Sequence, residues 1–225
     1  MMNGLYNEDC RETLKRELLY DYVITSPPDL NELGYEKIDA SSIKKWRNFL
    51  ISVIKLLKPK KGFVSICISD RKSGGEIISK HSIVMDIFKD LGYKLHTHKL
   101  WIKSRGVNLY RLNYMHLLTF TKGAGRQSYE KFRPDVFFAL GKWQQKGYTY
   151  GMPAEIVSLL IKNYTDEGDT VYDPFMGSGT TAVSCISHKR LWVGSEISKT
   201  YCDIMENRIA KQGAPLPGME DDYDT

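Results

Sequence analysis

Short apolar runs along the chain alternate with longer segments in which apolar residues recur at helical spacing. The runs predict six strands, at 21–25, 62–68, 94–102, 114–121, 170–174 and 191–196. Strands that alternate with helices are typical of a mostly parallel sheet with both faces covered. No helical segment separates the third strand from the fourth, so we expect these two strands to pair antiparallel.

The helical segments have recognisable starts and ends. Ser41 or Ser42 is a candidate cap for a helix that ends at Lys58-Pro59. Gly74-Gly75 is expected to lead into a helix that carries Ile77 and Ile78 on its inner side and closes at Gly92. Further helices are predicted at 11–19, at 153–164, from residue 180 onwards, and at 198–211.

The chain of 225 residues suits a single domain, which we place at 1–212, followed by an acidic tail at 213–225 that we expect to be disordered. No apolar stretch approaches the roughly 20 residues of a membrane span, and the first residues lack the pattern of a secretory signal. The four cysteines show no metal-ligand spacing, so we expect reduced thiols and no metal. These features predict a cytoplasmic protein without membrane association.

Positive charge is concentrated in one segment. The net charge is +5, and from Lys94 to Lys146 eleven Lys or Arg residues stand against two acids, Glu130 and Asp135. Aromatic residues interleave with these bases, which favours a nucleic-acid surface over the alternative of a solvated basic face. We expect nucleic-acid contacts from seven side chains: Arg105, Arg111, Arg126, Lys131, Arg133, Lys142 and Trp143.

A glycine-rich turn follows the predicted strand that ends near Asp173. Gly177 and Gly179 allow the backbone to approach a ligand, and Thr180 begins a helix, as at a nucleotide site beside a sheet. The turn lacks the lysine of a phosphate loop. One strand later, Glu196 can accept hydrogen bonds from two ribose hydroxyls. A tight turn and a solvated acid are the structural alternatives.

A second motif, Thr25-Ser26-Pro27-Pro28, closes the strand at 21–25. The prolines stiffen the backbone, so the Ser26 hydroxyl and the Pro27 carbonyl become acceptors with fixed directions. Such acceptors can bind both hydrogens of an aromatic amine and favour its pyramidal, nucleophilic form. None of the four cysteines follows a proline, so the sequence does not favour a cysteine nucleophile. A stiff loop without chemistry is the alternative.

Together the two motifs resemble the amino-group DNA methyltransferases that use S-adenosylmethionine, in the permuted motif order called the beta class. The resemblance covers nearly the whole chain. It implies a Rossmann-like α/β methyltransferase fold with a mostly parallel, seven-stranded sheet and one antiparallel strand pair. It further implies direct methyl transfer from S-adenosyl-L-methionine to an exocyclic amine of a flipped base in DNA. Ser26 resembles the cytosine-N4 group, because adenine-N6 relatives more often have aspartate or asparagine there.

The resemblance also assigns roles to residues. Asp9 and Cys10 lie in a segment similar to the one near the cofactor's adenine, although a helix cap is nearly as good a role for Asp9. Met152 and Pro153 are similar to the motif that holds the cofactor's methionine. The implied catalytic residues are Ser26, Pro27, Pro28 and Asp29. The implied cofactor-binding residues are Asp9, Cys10, Thr25, Met152, Pro153, Asp173, Pro174, Phe175, Gly177, Ser178, Gly179, Thr180 and Glu196.

Asp29 departs from the family pattern, which has an aromatic residue there to stack on the flipped base. Tyr35 is a candidate replacement for that ring, and Asp29 is a candidate ligand for a polar group on an unusual base. The segment at 123–147 is short for target recognition, so we expect help from a homodimer or an accessory partner. Adenine-N6 methylation, an RNA or protein amino-methyltransferase, and a catalytically impaired DNA-binding or regulatory homologue remain open alternatives.

Overall fold

The computed structural model describes residues 4–33, 40–102, 112–123, 135–138 and 152–211. These residues form the strands β1 (Gly4–Tyr6), β2 (Tyr22–Thr25), β3 (Phe63–Ile68), β4 (Arg71–Ser73), β5 (Glu76–Ile78), β6 (Lys94–Ile102), β7 (Tyr114–Thr121), β8 (Val136–Phe138), β9 (Thr170–Asp173) and β10 (Leu191–Ser195). They also form the helices α1 (Cys10–Leu14), α2 (Ala40–Ile54), α3 (Lys80–Asp90), α4 (Ala154–Tyr164), α5 (Thr180–Ser187) and α6 (Lys199–Ala210).

Eight strands form one sheet in the order β1-β10-β9-β2-β3-β7-β6-β8, while β4 and β5 form a separate hairpin. β7 runs antiparallel to β3 and β6, and the other neighbouring strands run parallel. The predicted mostly parallel sheet with an antiparallel pair is therefore confirmed. Within the described residues the sheet has one strand more than the seven expected, because the three-residue β8 pairs with β6.

Helices cover both faces of this sheet. Tyr22 and Ile24 belong to a buried cluster with residues of α4, α5 and α6, whereas Val23 belongs to a second cluster with residues of α2 and α3. This division follows from the alternation of side chains along a strand. β2, β3 and β9 are buried along their whole length, which explains why their sequences are continuous apolar runs.

One edge of the sheet collects the chain segments that carry the motifs. The carboxyl ends of β10, β9, β2 and β3 meet there, because these strands are parallel. The start of β7 lies at the same edge, since Ile68 at the end of β3 pairs with His116. α4 also begins at this edge: its last residue, Tyr164, stacks on Tyr22 at the opposite end of β2.

Two local predictions about helix starts were wrong. Ser41 and Ser42 lie inside α2, which begins at Ala40, and do not cap it. Gly74 and Gly75 form the turn of the β4–β5 hairpin, with φ of 58° and 83°. Positive φ at both central residues is what a two-residue hairpin turn of this type requires, and glycine adopts it without strain.

Because of this hairpin, the residues that directly follow Gly75 form a strand and not the expected helix. Ile77 and Ile78 lie on β5, and Ile77 is 54% exposed, so it does not face a helical interior. The helix predicted at 11–19 is also shorter, because α1 ends at Leu14 and Glu17 has a left-handed φ of 49°. The helix predicted to end at Lys58-Pro59 ends four residues earlier, at Ile54, and the remaining predicted helices and strands agree with the structure to within about two residues at their ends.

None of the described helices combines the length and the apolar character that a membrane crossing needs. The acidic tail at 213–225 and most of the segment at 123–147 lie outside the described residues, and β8 is the part of that segment that the structure shows as a strand.

Candidate active site

Asp173, the last residue of β9, joins the two motifs. Its side chain is buried, and its Oδ1 accepts hydrogen bonds from Thr25 Oγ1 at 2.6 Å and from the Phe175 N–H at 3.0 Å. Oδ2 accepts a hydrogen bond from Thr181 Oγ1 at 2.6 Å. One carboxylate thus holds the end of β2, the glycine-rich turn and the first turn of α5 together. The expected contact of Asp173 with a cofactor stays a prediction, because the structure shows these protein donors instead.

Burial raises the pKa of Asp173 to about 6, although the hydrogen bonds from Thr181, Thr25 and the Phe175 N–H act in the opposite direction. The charge of the nearby Glu196 adds to the rise. The carboxyl group is therefore ionised at neutral pH but protonates under mildly acidic conditions.

The predicted site does not include Thr181, because nothing in the local sequence shows that its hydroxyl reaches a carboxylate.

The pKa of Asp173 predicts a dependence of stability on pH. In the unfolded chain an aspartate loses its proton near its ordinary pKa of 3.8, whereas the folded protein keeps this proton up to about pH 6. The unfolding free energy should therefore fall as pH rises from about 4 to about 6, by on the order of 3 kcal/mol from this group. Denaturant unfolding of the wild type and of Asp173→Asn over this range measures the effect.

The difference in unfolding free energy between the two proteins should shrink across that window and stay constant above it. Parallel curves for the wild type and Asp173→Asn would contradict the raised pKa. A constant difference in unfolding free energy between the two proteins is expected in either case, because the asparagine amide cannot accept all three hydrogen bonds.

The two glycines of the turn have different structural roles. Gly177 has φ of 53° and Gly179 has φ of 82°, so both adopt the left-handed conformation. A Cβ on Gly177 would meet only the Phe175 carbonyl oxygen, at 3.9 Å, which leaves room for a ligand above it. A Cβ on Gly179 would lie 2.4 Å from Met205 Cγ of α6. Gly179 therefore allows helix packing, whereas the sequence suggested a ligand approach at both glycines.

Glu196, which follows β10, lies against the glycine-rich turn. Its Oε2 accepts a hydrogen bond from the Gly177 N–H at 2.8 Å, and its Oε1 accepts one from the Ser198 N–H at 2.8 Å. Asn7 Nδ2 donates to the Glu196 carbonyl at 2.8 Å. The predicted strand-end acid, the glycine-rich turn and the segment that contains Asp9 therefore come together at one place.

Arg208 of α6 supports the turn from the outside. Its Nη1 donates to the Ser178 carbonyl at 2.6 Å and to the Ser178 hydroxyl at 2.9 Å. Sequence reasoning missed this residue, because it lies thirty positions after the turn and belongs to no motif. Ser178 is buried, and its hydroxyl is held by this protein donor.

Asp9 acts as a helix cap in the structure. Its side chain accepts a hydrogen bond from the Arg11 N–H at 2.8 Å and forms an ion pair with Arg11 Nη2 at 2.6 Å. The hydrogen bond from the Arg11 side chain lowers the pKa of Asp9. The alternative role that the sequence left open is thus present. Contact between Asp9 and a cofactor remains a prediction.

All four cysteines are buried free thiols. Burial raises the pKa of each of them, that of Cys10 to about 12, so none is poised as a thiolate. A cysteine nucleophile is therefore not available at neutral pH. This agrees with the expected direct transfer of a methyl group, in which no covalent enzyme intermediate forms.

The Ser-Pro-Pro loop leaves the sheet beside the glycine-rich turn. Ser26 and the two prolines are half-buried. Trp46 Nε1 of α2 donates to the Pro28 carbonyl at 2.9 Å and anchors the loop. A small apolar crevice where this loop meets α2 is lined by Pro27, Pro174 and Phe175 among others, so the two motif loops share a surface.

The Asp29 side chain takes part in an ion cluster with Lys80 and Arg71. Its Oδ1 lies 2.9 Å from Lys80 Nζ, and its Oδ2 accepts from Arg71 Nη1 at 3.2 Å. Burial alone would raise the pKa of Asp29, but the charge and hydrogen bond of Lys80 outweigh it and lower the pKa. The Lys80 side chain is 6% exposed, and its Nζ lies 6.0 Å from the centre of the Trp46 ring. Sequence reasoning did not identify Lys80 or Arg71.

The structure places Met152 and Pro153 at the start of α4, with Pro153 as its cap residue. Met152 is half-buried and packs against the cluster that includes α5. The seven expected DNA contacts and Tyr35 lie outside the described residues: Arg105, Arg111, Arg126, Lys131, Arg133, Lys142 and Trp143.

Comparison with known proteins gives the family. The model of the N6/N4 methyltransferase family, described as DNA methylase, matches residues 20–207. The type II methyltransferase M.MjaI from Methanocaldococcus jannaschii is 30% identical over 186 residues, which cover 66% of this chain and 61% of the relative. The matches to two other curated relatives, M.BamHII from Bacillus amyloliquefaciens and M.Cfr9I from Citrobacter freundii, cover 57 residues of this chain and only about a fifth of each relative's length.

Solved structures have the same Rossmann-like fold. PvuII DNA methyltransferase (cytosine-N4-specific) superposes with a TM-score of 0.78 at 17% identity, covering 100% of this chain and 89% of that one. The S-adenosyl-L-methionine complex of TTHA0409 from Thermus thermophilus superposes with a TM-score of 0.75 at 19% identity, covering 96% of this chain and 97% of that one. The family match over residues 20–207, together with the two motif loops at one sheet edge, shows that the chain belongs to the N6/N4 DNA methylase family.

Proposed function

We propose that this chain is a beta-class methyltransferase, which transfers a methyl group from S-adenosyl-L-methionine directly to an exocyclic amino group in DNA. The hydrogen bonds of Asp173 to Thr25 and Thr181 carry this proposal, because they hold the two motif loops beside each other. A ligand on the glycine-rich turn and a base beside the Ser-Pro-Pro loop would then share one cleft.

The cofactor side is the glycine-rich turn with Glu196. The open space at Gly177 and the half-buried carboxylate of Glu196 fit a nucleoside, since a carboxylate can accept hydrogen bonds from both ribose hydroxyls. Met152 and Pro153 would hold the methionine portion, at the start of α4 on the same edge. When bound, S-adenosyl-L-methionine supplies an electrophilic sulfonium methyl group.

The chain's own contribution to transfer is the orientation of the amine. The Ser26 hydroxyl makes no hydrogen bond to another residue in the described parts of the chain, so it is available as an acceptor. The Pro27 carbonyl is the second acceptor, on a backbone that the prolines stiffen and Trp46 anchors. Two acceptors that bind the amine hydrogens favour the pyramidal form, whose lone pair can attack.

Cytosine N4 is the preferred target because of Ser26. Adenine-N6 members of the family more often have aspartate or asparagine at this place, whereas serine resembles the cytosine-N4 group. The seven basic and aromatic side chains between Arg105 and Trp143 remain the proposed DNA contacts, with phosphate contacts giving salt-sensitive affinity.

Transfer of a labelled methyl group tests the proposal. The protein is incubated with isotopically labelled S-adenosylmethionine and mixed-sequence DNA, and the digested nucleosides are analysed by mass spectrometry, with Ser26→Ala as the control. Labelled N4-methylcytosine is expected. Label on adenine would keep the chemistry and overturn the base preference. Binding of the cofactor without any labelled DNA, or label on RNA or protein alone, would overturn the proposal.

Two alanine variants should separate the roles of the motifs. Ser26→Ala should lower kcat by on the order of 100-fold with little change in cofactor affinity, because its acceptor acts mainly in the transition state. Glu196→Ala should weaken cofactor binding by about tenfold or more, the loss expected for hydrogen bonds to a charged group. Steady-state kinetics and calorimetry measure the two effects, and the reverse pattern would contradict the assignment.

A further inference from the structure

Two of the five histidines lie with an aspartate near the motif-bearing edge of the sheet. Asp70 follows β3, His81 lies in the first turn of α3 and His116 lies on β7. One ligand atom from each of these residues lies within 4.8 Å of those from the other two. The side chains of Asp70 and His116 are 3% and 6% exposed, and that of His81 is 20% exposed. The cluster is therefore shielded from bulk water, with one partly open side.

The potential metal-ligand atoms of these three side chains face one another. Asp70 Oδ1 accepts a hydrogen bond from the His81 N–H at 3.1 Å, which fixes the carboxylate. Asp70 Oδ2 lies 2.7 Å from His81 Nδ1 and 3.5 Å from His116 Nε2. The buried His116 Nε2 has the Asp70 carboxylate at 3.5 Å as its charged partner, a longer contact than an ordinary hydrogen bond. That separation is about the one expected between two ligand atoms that each bind a zinc ion at roughly 2.0–2.1 Å.

Each histidine has a partner for its other ring nitrogen. His116 Nδ1 lies 2.9 Å from His98 Nε2, and His81 Nε2 lies 3.3 Å from Ser82 Oγ. Metal-binding histidines usually hydrogen-bond through the second nitrogen, because this fixes the ring and leaves a lone pair on the ligating atom. A His116 ring that donates Nδ1–H to His98 would direct a lone pair from Nε2 towards Asp70.

We propose that Asp70, His81 and His116 bind a divalent transition-metal ion of the zinc type. Two imidazole nitrogens and one carboxylate oxygen suit such an ion, whereas magnesium and calcium prefer oxygen ligands alone. The His81 and His116 rings now stack with centres 3.9 Å apart and planes at 13°, so they splay when both nitrogens face one ion. The proposal departs from the expectation of no metal, which considered the cysteines.

The ion has a structural consequence for the proposed active site. It ties the start of α3 to the ends of β3 and β7, and His81 directly follows Lys80, the partner of Asp29. Binding therefore stabilises the helix turn that holds the Ser-Pro-Pro loop. Three protein ligands also leave a coordination position open.

Metal binding is measured on chelator-treated full-length protein, by calorimetry with Zn²⁺ and by visible absorption with Co²⁺. We expect one ion per chain, a rise of several degrees in Tm with Zn²⁺, and no such rise with Mg²⁺. His116→Gln should weaken Zn²⁺ binding by more than about tenfold, and His98→Gln by about tenfold or more through the lost ring hydrogen bond. His96→Gln is the matched control, because His96 lies on β6 beside Phe63 and outside the cluster.

Absence of Zn²⁺ and Co²⁺ binding by the wild type would overturn the proposal, as would equal binding by His116→Gln and His96→Gln. A greater response to Mg²⁺ than to Zn²⁺ would also overturn it. If His116→Gln does not fold, Asp70→Asn and the Co²⁺ spectrum of the wild type decide the question. None of these measurements depends on methyl transfer, so the outcome is independent of the proposed enzymatic activity.

Discussion

Gly179→Ala should lower the free energy of unfolding by about 3 kcal/mol and weaken cofactor binding. An alanine must adopt φ of 82° there, which costs about 1–2 kcal/mol. Its Cβ would also lie 2.4 Å from Met205 Cγ, a contact that forces α6 or the turn to move. Overpacking of this kind typically costs about 1–3 kcal/mol. Denaturant unfolding and calorimetric titration with S-adenosylmethionine measure the two effects.

Gly177→Ala is the matched control. It shares the left-handed conformation, with φ of 53°, but its Cβ would meet only the Phe175 carbonyl oxygen at 3.9 Å. We therefore expect a loss of about 1 kcal/mol, and the difference between the two variants isolates the contact with Met205. In a double-mutant cycle, Gly179→Ala and Met205→Ala should together cost less than the sum of the single changes. Equal losses for the two glycine variants would contradict the packing role of Gly179.

Asp29→Asn should lower the free energy of unfolding by about 3 kcal/mol. The substitution preserves the shape of the side chain but removes the charge that faces Lys80, whose side chain is only 6% exposed. Breaking a buried pair leaves an uncompensated charge and is strongly destabilising. The Asp29 side chain is 30% exposed, so we expect the lower end of the usual range. Urea unfolding of the wild type and the variant measures the loss.

Asp90→Asn provides the comparison for an exposed pair. Asp90 pairs with Arg47 at 2.9 Å on the surface, where such pairs contribute less than about 1 kcal/mol. Adding Lys80→Met to Asp29→Asn should recover much of the stability, because the second change removes the buried charge. Similar losses for Asp29→Asn and Asp90→Asn, or no recovery in the double variant, would count against a structural pairing.

The pair of Asp29 with Lys80 also bears on the departure of Asp29 from the family pattern. An aromatic residue at this place alone, as in Asp29→Phe, would leave Lys80 buried without its carboxylate. We therefore expect Asp29→Phe to be less stable than the double variant Asp29→Phe/Lys80→Met. The structure thus gives Asp29 a protein partner in Lys80, while contact between Asp29 and a polar group of the substrate base stays a prediction.

Local patterns were sufficient for the fold and the two motifs. The buried strands β2, β3 and β9 are continuous apolar runs, and the helices follow from apolar spacing, so their order alone predicted the α/β sheet. The same local logic failed at Gly74-Gly75, where two glycines also fit a helix approach. Whether such a pair turns a hairpin depends on whether the following residues pair with Arg71–Ser73, and helical spacing does not contain this information.

By itself, then, the sequence determined the fold class, the positions of the two motifs and six of the ten described strands, because periodicity and turn chemistry act over a few residues. Only the tertiary structure decided which side chains meet. Thr25 reaches Asp173 across 148 positions, Met205 occupies the space of a Cβ on Gly179, Lys80 pairs with Asp29, and His81 stacks on His116. These contacts arise from strand order and helix packing, which bring distant residues to one edge of the sheet.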